Sequence, residues 1–375
     1  MKEKLYVIVS SQEYNYANHK NLWIELSKFH KVVVVNIAAD YLVSVLKGKK
    51  YRIVEARQKP KWENANLAIV RPIYFLRPEL LPAFFKFYIS KVFWNSVARC
   101  FPEYRNYSIN CIIYNPEWTR IVDFSKLDTK VAYYLYDEMR YNGKDNSINK
   151  KRFSDDEYAC LHSDIIFTMT DVLAESRRDS NDNIVVLGNG GSYQPYEVPS
   201  IHFNNSVAFI GNFRNWIDND LLEGLIKKRN DLLFCFAGTS EPDMKCFLEH
   251  LLNSYDNTLF LGKYSKDRMI QLYRSFSAVI IPYRYNQFIQ ATRPIKIVES
   301  VLAGTPVVTI PMNGYKESSF IRFAKTVDEF SGQIDFLIDN PIDLESDSYN
   351  EFVNCNTWEA KANIIENEMS NLICR

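Results

Sequence analysis

Two basic residues and one acidic residue stand at regular spacing in "RPIKIVES", residues 293–300. Arg293, Lys296 and Glu299 recur every three residues, a spacing that places side chains on one side of a helix. Pro294 suits the first helical turn, where free N–H groups and the positive dipole end favour an anion. The two cations are therefore expected to hold phosphate groups, and Glu299 to bind the hydroxyls of a ribose. The pattern is typical of a nucleoside diphosphate site; a surface ion pair between Lys296 and Glu299 is the alternative.

Two carboxylates and one histidine are candidates for proton transfer or substrate contact. Asp137 and Glu138 come directly after the apolar run "KVAYYLY" (130–136). A carboxylate in that loop could accept a proton from an attacking hydroxyl, although a helix cap or a surface pair would use the same residues. His19 follows the first predicted strand and could contact a substrate, although a lone loop histidine is more often simply exposed.

Other loop residues have weaker signals. Gly211 and Gly238 each end an apolar run, where the absence of a side chain allows close approach of a diphosphate or simply a turn. Arg214 could pair with a phosphate or lie in solvent. Asp218 opens the stretch "DND" (218–220) at the start of a helical pattern, so we predict a helix cap and no metal site.

Composition excludes several classes of protein. The chain has 375 residues with 45 basic and 45 acidic side chains, so bulk electrostatics gives no support to a nucleic-acid partner. Its seven cysteines are scattered without a Cys-x-x-Cys pair, which favours a reducing compartment. The first residues lack the apolar run of a signal peptide, and no run is long enough to span a bilayer. A cytoplasmic protein is therefore expected.

Short apolar runs alternate with amphipathic stretches along the chain, and the candidate residues lie between or within them. The runs are continuous in apolar residues, as in parallel strands covered on both faces. Strands are predicted at 5–10, 31–37, 66–72, 109–115, 130–136, 164–169, 183–189, 206–212, 232–238, 257–263, 277–283 and 306–311. Helices are predicted at 21–30, 155–163, 219–229, 241–254, 266–275 and 294–303. The alternation predicts two doubly wound α/β units with ligands at the carboxyl ends of the strands.

The segment "RPIKIVESVLAGTPVVT" (293–309) resembles the donor-binding helix of GT-B glycosyltransferases. The shared form is Pro-x-Lys-x-x-Glu-x-x-x-Ala-Gly-x-Pro-Val-Val. The similarity is specific across 206–310 and looser before residue 130. It points to enzymes of the teichuronic acid and xanthan glucuronosyltransferase type, which build bacterial surface polysaccharides. Many retaining members carry an acidic residue where this chain has Ala291, so the resemblance favours an inverting reaction.

The resemblance implies an α/β chain of the GT-B class, with two doubly wound Rossmann-like domains that face each other across a cleft. Residues 1–195 would form the acceptor-binding domain and residues 196–345 the donor-binding domain. Residues 346–375 would form a C-terminal helix that packs back towards the N-terminal domain.

The resemblance also implies roles for individual residues. Asp137 is expected to be the catalytic base, with Glu138 as second candidate, and His19 to contact the acceptor. The donor is expected to contact Gly211, Arg214, Lys263, Tyr283, Arg293, Ile295, Lys296 and Glu299.

The implied reaction is metal-independent transfer of a sugar from a nucleotide diphosphate sugar, with a UDP-sugar as the leading expectation and no further cofactor. The acceptor would be a glycan or a polyprenyl-linked glycan in capsule, lipopolysaccharide or O-antigen synthesis. The aromatic segment 77–101, interleaved with basic residues, could touch the inner face of the membrane or belong to the core. A sugar-nucleotide epimerase of related fold and a non-catalytic two-lobed sugar-binding protein are the alternatives.

Overall fold

The computed structural model describes residues 2–36, 39–40, 59–74, 78, 85–125, 127–141, 147–197, 201–265, 268–290 and 292–372. Several expectations lie wholly or partly outside the described residues. They concern Ala291, residues 77 and 79–84 of the aromatic segment, residue 37 of a predicted strand and residues 266–267 of a predicted helix. The chain divides into two compact units, one of Met1–Leu187 with Lys361–Arg375 and the other of Gly188–Ala360.

The first unit is built on an eight-stranded sheet. Its strands are β1 (Lys4–Ser10), β2 (Lys31–Asn36), β4 (Lys61–Trp62), β5 (Leu67–Val70), β7 (Ser108–Ile113), β8 (Thr129–Leu135), β9 (Ile165–Thr168) and β10 (Ile184–Val186), and β3 (Ala39–Asp40) pairs separately with β6 (Ile73–Tyr74). The order across the sheet is β10-β9-β8-β7-β1-β2-β5-β4. Every neighbouring pair is parallel except β4 and β5, which run antiparallel at the edge.

The second unit is built on a six-stranded parallel sheet. Its strands are β11 (Phe203–Ile210), β12 (Leu233–Ala237), β13 (Thr258–Gly262), β14 (Phe276–Ile281), β15 (Val307–Thr309) and β16 (Ile321–Phe323). They follow the order β13-β12-β11-β14-β15-β16. Strands β11, β12, β14 and β15 are buried along most of their length because helices cover both faces of a parallel sheet.

Helices follow most of the strands. Those of the first unit are α1 (Lys20–Ser27), α2 (Lys86–Ala98), α3 (Glu117–Ile121), α4 (Lys150–His162) and α5 (Asp171–Glu175). Those of the second unit are α6 (Asn219–Lys228), α7 (Pro242–Ser254), α8 (Met269–Arg274), α9 (Gln287–Gln290), α10 (Ile295–Leu302), α11 (Val327–Asp339) and α12 (Asp347–Asn356). Helix α13 (Trp358–Asn371) begins in the second unit and ends in the first. None of the helices in the described parts of the chain has the length and apolar character needed to cross a bilayer.

Each sheet has one point where the strand order reverses. In the second unit β11 lies between β12 on one side and β14 on the other, so the loops after β11 and β14 diverge. In the first unit β1 lies between β2 and β7 in the same way. Ligands of open α/β sheets bind at such points, outside the carboxyl ends of the strands. The loops after β1, β7, β11 and β14 are therefore the places to look for a site.

The predicted architecture is confirmed, because all twelve predicted strands are present and parallel. The short edge strands β4 and β16 and the helix α11 were not predicted. Residues 188–195 and 346–360 group with the second unit in the structure.

Candidate functional site

Three candidate donor residues meet at the strand-order reversal of the second sheet. Gly211 directly follows β11, Tyr283 lies two residues after β14, and Lys296 is the second residue of α10. The Nζ atom of Lys296 donates a hydrogen bond to the Tyr283 hydroxyl over 2.9 Å. A Cβ atom on Gly211 would lie 2.4 Å from the same Nζ atom. Helix α10 therefore places its lysine beside the loop that follows β11.

The surroundings of Lys296 are aromatic. Its Nζ atom lies 4.4 Å from the ring centroid of Phe209 and 5.4 Å from that of Tyr283. Phe209 is fully buried in β11. Among the described residues, no carboxylate lies within ion-pair distance of this amine. Aromatic faces stabilise an ammonium only partly, so a half-buried cation in this place favours a bound anion.

The glycine turns after β11 and β12 pack against each other. Gly238 has φ +140°, and a Cβ atom there would lie 2.0 Å from the carbonyl oxygen of Gly211. Gly211 itself has φ +148°, a conformation that side chains rarely adopt. Gly238 thus has a structural reason to be glycine, whereas Gly211 leaves room for a lysine amine at the end of its strand.

Glu299 lies one turn further along α10, against two tyrosines. Its Oε2 atom accepts a hydrogen bond from the hydroxyl of Tyr273 over 3.3 Å. Burial and then the charge of Glu299 raise the pKa of Tyr264 to about 12. The carboxylate is half-buried rather than paired with Lys296 on an exposed helix face. This arrangement weakens the alternative of a surface ion pair.

Arg293 lies beside two glycines and a tyrosine. Its guanidinium carbon is 4.9 Å from the ring centroid of Tyr315. A Cβ atom on Gly188 would lie 2.3 Å from its Nη1 atom, and one on Gly314 would lie 3.5 Å from its Cδ atom. The side chain of Asn189 also donates a hydrogen bond to the Arg293 carbonyl. The residue before α10 is therefore held by both its backbone and its side chain.

The other expected donor contacts have different surroundings. Arg214 forms a 3.0 Å ion pair with Glu241, and its guanidinium carbon lies 4.7 Å from the ring centroid of Trp216. Lys263 is exposed after the edge strand β13, and Ile295 is the half-buried first residue of α10. No hydrogen bond joins Arg214 or Lys263 to Lys296 among the described residues. The structure brings together Gly211, Tyr283 and Lys296 more closely than it does these residues.

Asp137 lies in the first unit, two residues after β8. Its carboxylate is half-buried, and its Oδ1 atom accepts a 2.9 Å hydrogen bond from the backbone N–H of Glu138. Burial raises the pKa of Asp137 above its ordinary value because desolvation disfavours the charged form, and this effect outweighs the backbone hydrogen bond. A carboxylate with a raised pKa is suited to accept a proton.

Glu138 is held by a buried arginine. Both terminal nitrogens of Arg177 donate to the Glu138 carboxylate, at 2.7 and 2.8 Å. Burial opposes ionisation of Glu138, but the hydrogen bonds and charge of Arg177 outweigh burial and lower its pKa. Arg177 also donates from Nε to Asp156 over 3.1 Å, and Asp156 is fully buried. A carboxylate fixed and kept ionised in this way suits positioning better than proton transfer.

Sequence reasoning missed this ion-pair network, which adjoins the Asp137 loop. Arg140 donates to Asp156 over 2.8 Å, and the hydroxyl of Tyr133 donates to its other oxygen over 2.8 Å. The partners of Glu138 and Arg140 lie 16 to 39 residues away along the chain. These residues meet only in the folded protein, so no local sequence pattern could have predicted the network.

His19 lies directly before α1, and it is buried rather than exposed. Its ring centroid is 5.4 Å from that of Tyr114, 5.0 Å from that of Tyr134 and 5.8 Å from that of Tyr136. Tyr136 is the residue before Asp137. The structure thus brings the expected acceptor histidine and the expected base to one cluster at the carboxyl end of the first sheet.

Two further expectations concern Asp218 and the aromatic segment. Asp218 caps α6, as predicted, because its Oδ1 atom accepts a 3.0 Å hydrogen bond from the backbone N–H of Leu221.

In the described part of the aromatic segment, α2 buries Phe93 and exposes 68% of Phe87. One face of that helix is therefore core, and aromatic rings remain on the other.

Comparisons with known proteins find a family model and several solved structures that are similar to this chain. The family model of glycosyl transferases group 1 matches residues 204–340, which include Gly211, Tyr283 and Lys296. No curated protein matches the sequence.

Solved structures match the whole chain. A sucrose-phosphate synthase from Thermosynechococcus elongatus has a TM-score of 0.69 at 12% identity over 99% of both chains. HepE from Anabaena, solved in complex with UDP and glucose, has a TM-score of 0.65 at 13% identity over 99% of this chain and 100% of its own. The lipopolysaccharide outer core galactosyltransferase WaaB has a TM-score of 0.61 at 10% identity over 99% and 100%. The chain therefore has the GT-B fold, and its residues 204–340 match the family model of glycosyl transferases group 1.

Proposed function

We propose that this protein transfers a sugar from a nucleotide diphosphate sugar to a glycan or lipid-linked glycan acceptor during synthesis of a surface polysaccharide. The second unit would bind the donor and the first unit the acceptor. The family match to residues 204–340 and the Pro-x-Lys-x-x-Glu sequence at the start of α10 support the donor assignment.

One observation carries the proposal. The amine of Lys296 is half-buried at the strand-order reversal, against two aromatic rings and in the space left by Gly211. A diphosphate placed there would meet this amine, the free N–H groups at the start of α10 and the Arg293 side chain near by in the sequence. Glu299, one turn deeper, would accept hydrogen bonds from the ribose hydroxyls. The same groups would offset the charge of the departing diphosphate, so we expect no metal requirement.

The donor proposal extends to the identity of the nucleobase. HepE was solved with UDP, with UDP-glucose and with UDP and glucose, which makes a UDP-sugar the first donor to test.

In the reaction an acceptor hydroxyl oxygen would bond to the anomeric carbon while the bond from that carbon to the diphosphate oxygen breaks. The diphosphate would leave with the electron pair, and Asp137 would take the hydroxyl proton. Attack opposite the leaving group would invert the anomeric centre.

We also propose peripheral contact with the inner face of the cytoplasmic membrane. The exposed aromatic rings of Phe87 and Tyr88 on α2 support this proposal, since such rings favour the boundary between water and lipid. Flotation with phosphatidylglycerol vesicles tests it. Replacing both rings by serine should release the protein from the vesicles, and unchanged flotation would contradict the contact.

Product analysis with a panel of labelled UDP-sugars tests the main proposal. Transfer of label to a glycan acceptor is the expected result. Conversion of the donor to an epimer would favour the epimerase alternative, and donor binding without any turnover would favour a sugar-binding protein. The anomeric configuration of the product, read by NMR, tests inversion: an unchanged configuration would limit Asp137 to orienting the acceptor.

A further inference from the structure

A second candidate site lies in the first unit, away from the Asp137 loop. A cavity of about 240 Å³ opens at the carboxyl ends of β2 and β5, beside the edge strand β4. The loop after β1 and the end of α2 complete its wall. We call it the basic cavity, and its charged lining residues are Glu13, Lys59, Lys61, Arg71 and Arg99.

The basic cavity has an excess of positive charge. Four of its lining residues are cations and one is a carboxylate. That carboxylate, on Glu13, forms a 3.3 Å ion pair with the Nη2 atom of Arg71. Lys59, Lys61 and Arg99 are exposed at the surface of the unit. Clustered cations around a concave wall raise the local concentration of anions.

One wall of the cavity is fixed by its own hydrogen bonds. Asn36, the last residue of β2, accepts a 3.4 Å hydrogen bond from the backbone N–H of Tyr14. Its side-chain nitrogen donates to the carbonyls of Ser10 and Gln12 at 3.3 and 2.5 Å. Tyr14 also lines the cavity and is buried. This wall is thus held in place by hydrogen bonds between β2 and the loop after β1.

The nature of the charge indicates the ligand class. A neutral sugar gains little from a net excess of cations, and a carboxylate would offset only one of them. A phosphate or diphosphate carries two or more negative charges and matches arginine and lysine donors well. The cavity extends across the sheet from the loop after β1, two strands from β8, to β5, four strands from β8. At about 4.8 Å per strand, these separations are about 10 and 19 Å.

We propose that the basic cavity binds a phosphate or diphosphate group of the acceptor. This inference rests on the proposed glycosyl transfer and names the acceptor class. Arg71 directly follows β5 and Lys61 lies in β4, at the edge of the sheet far from β8. The acceptor class is thus a phosphate-bearing glycan whose phosphate lies away from the reacting hydroxyl, and the cavity selects it over the same glycan without phosphate.

Binding of inorganic pyrophosphate tests the site without turnover. Calorimetry is done in the Lys296→Ala background, so that the proposed donor site does not contribute. The double variant Lys61→Gln/Arg99→Gln removes two exposed cations of the cavity. Its matched control, Lys91→Gln/Lys151→Gln, removes two exposed cations elsewhere in the same unit. We expect the first pair to weaken pyrophosphate binding about tenfold or more and the second to leave it unchanged. Equal affinities in both, or no binding of pyrophosphate at all, would overturn the proposal.

Two further measurements complete the test. One identifies the source of the phosphate, and the other separates failure of this proposal from failure of the donor proposal. Flotation with phosphatidylglycerol vesicles is measured with and without pyrophosphate. If pyrophosphate releases the protein from the vesicles, the phosphate is carried by the membrane. If Lys61→Gln/Arg99→Gln weakens pyrophosphate binding but leaves flotation unchanged, the phosphate belongs to a soluble glycan. UDP binding is measured in Lys61→Gln/Arg99→Gln with Lys296 intact and should not change. If the unmodified protein does not bind UDP, the donor proposal is wrong. The pyrophosphate titration would still show whether the basic cavity binds phosphate.

Discussion

The amine of Lys296 occupies the space that a side chain at position 211 would need, because a Cβ atom on Gly211 would lie 2.4 Å from its Nζ atom. The glycine is thus matched to a lysine 85 positions later in the chain. Strand β11 and helix α10 are joined at this contact, where a donor diphosphate is proposed to bind.

Gly211→Ala should weaken UDP binding by about tenfold or more, because the new methyl group displaces the lysine amine from its phosphate contact. The substitution also strains a backbone at φ +148°, at a cost of about 1 to 3 kcal/mol of unfolding free energy. Calorimetry measures the first effect and thermal unfolding the second. Gly332→Ala in α11 is the matched control, since nothing lies within 4 Å of its new methyl group. Equal UDP affinities in the two variants would show that Gly211 does not act through Lys296.

Lys296→Ala should weaken UDP binding far more than uridine binding, since it removes a charged contact to phosphate. The expected loss for UDP is about 1.5 to 3 kcal/mol, or roughly 10- to 150-fold. Lys325→Ala is a suitable control, because Lys325 also lies over a tyrosine ring, that of Tyr285, at 4.7 Å. The same loss for both ligands would refute a phosphate contact by Lys296.

Glu299→Gln should weaken UDP and uridine alike, because the ribose is common to both ligands. The substitution keeps the shape of the side chain but replaces one carboxylate oxygen with a donor, so one ribose hydroxyl loses its acceptor. Calorimetric titration of the two ligands measures the effect. Unchanged uridine affinity in this variant would remove Glu299 from the ribose site.

The donor residues show how far sequence reasoning reaches. Spacing within α10 brought Lys296 and Glu299 to one helix, and the run before Gly211 placed that glycine at the end of a strand. Local patterns are enough for such statements. The sequence did not predict the ion pair of Glu138 with Arg177. Arg177 lies two residues after α5, so the pair depends on where α5 packs in the folded unit. His19 shows the same limit, since its burial comes from tyrosines on β8 and after β7.

Asp137→Asn should lower turnover by roughly a hundredfold or more while leaving UDP affinity unchanged, because it removes basicity but keeps the shape of the side chain. Stability at pH 7 should not fall. The pKa of Asp137 is raised in the folded state, so its ionised form costs stability once pH exceeds the unfolded pKa, and Asn avoids that cost.

The pH profile gives an independent check on Asp137. A base acts only when deprotonated, so kcat/KM should fall as pH is lowered through its folded pKa. Because burial raises that pKa, the acidic limb should lie above the ordinary range of an aspartate. Near-normal turnover in Asp137→Asn, or no acidic limb above that range, would reduce Asp137 to a structural role.

Glu366→Gln should lower the unfolding free energy by about 1 to 3 kcal/mol at pH 7. The carboxylate of Glu366 on α13 accepts hydrogen bonds from Lys4 and Tyr6 in β1 and lies 2.9 Å from the Nε2 atom of His30. Burial opposes its ionisation, but these partners outweigh burial and lower its pKa. The stabilisation is therefore complete above the unfolded pKa near 4.5 and is lost as pH falls below it.

Denaturant unfolding at pH 7 and pH 4 tests the role of Glu366. The difference between the original protein and Glu366→Gln should shrink at pH 4. Glu368→Gln, two residues along the same helix, should change little at either pH. A constant difference at both pH values would show that the ionised carboxylate is not what stabilises the contact.

The partnership of Glu366 with β1 also orders events during synthesis on the ribosome. Lys4 and Glu366 are 362 residues apart, so at 5 to 20 residues per second the strand waits on the order of 20 to 70 s for its partner. Throughout that interval the nascent amino-terminal sheet displays Lys4, Tyr6 and His30 without the helix that later covers them. Complete closure of the first unit therefore depends on residues made more than 350 positions later, and early release of an incomplete chain would leave that surface open to chaperones and proteases.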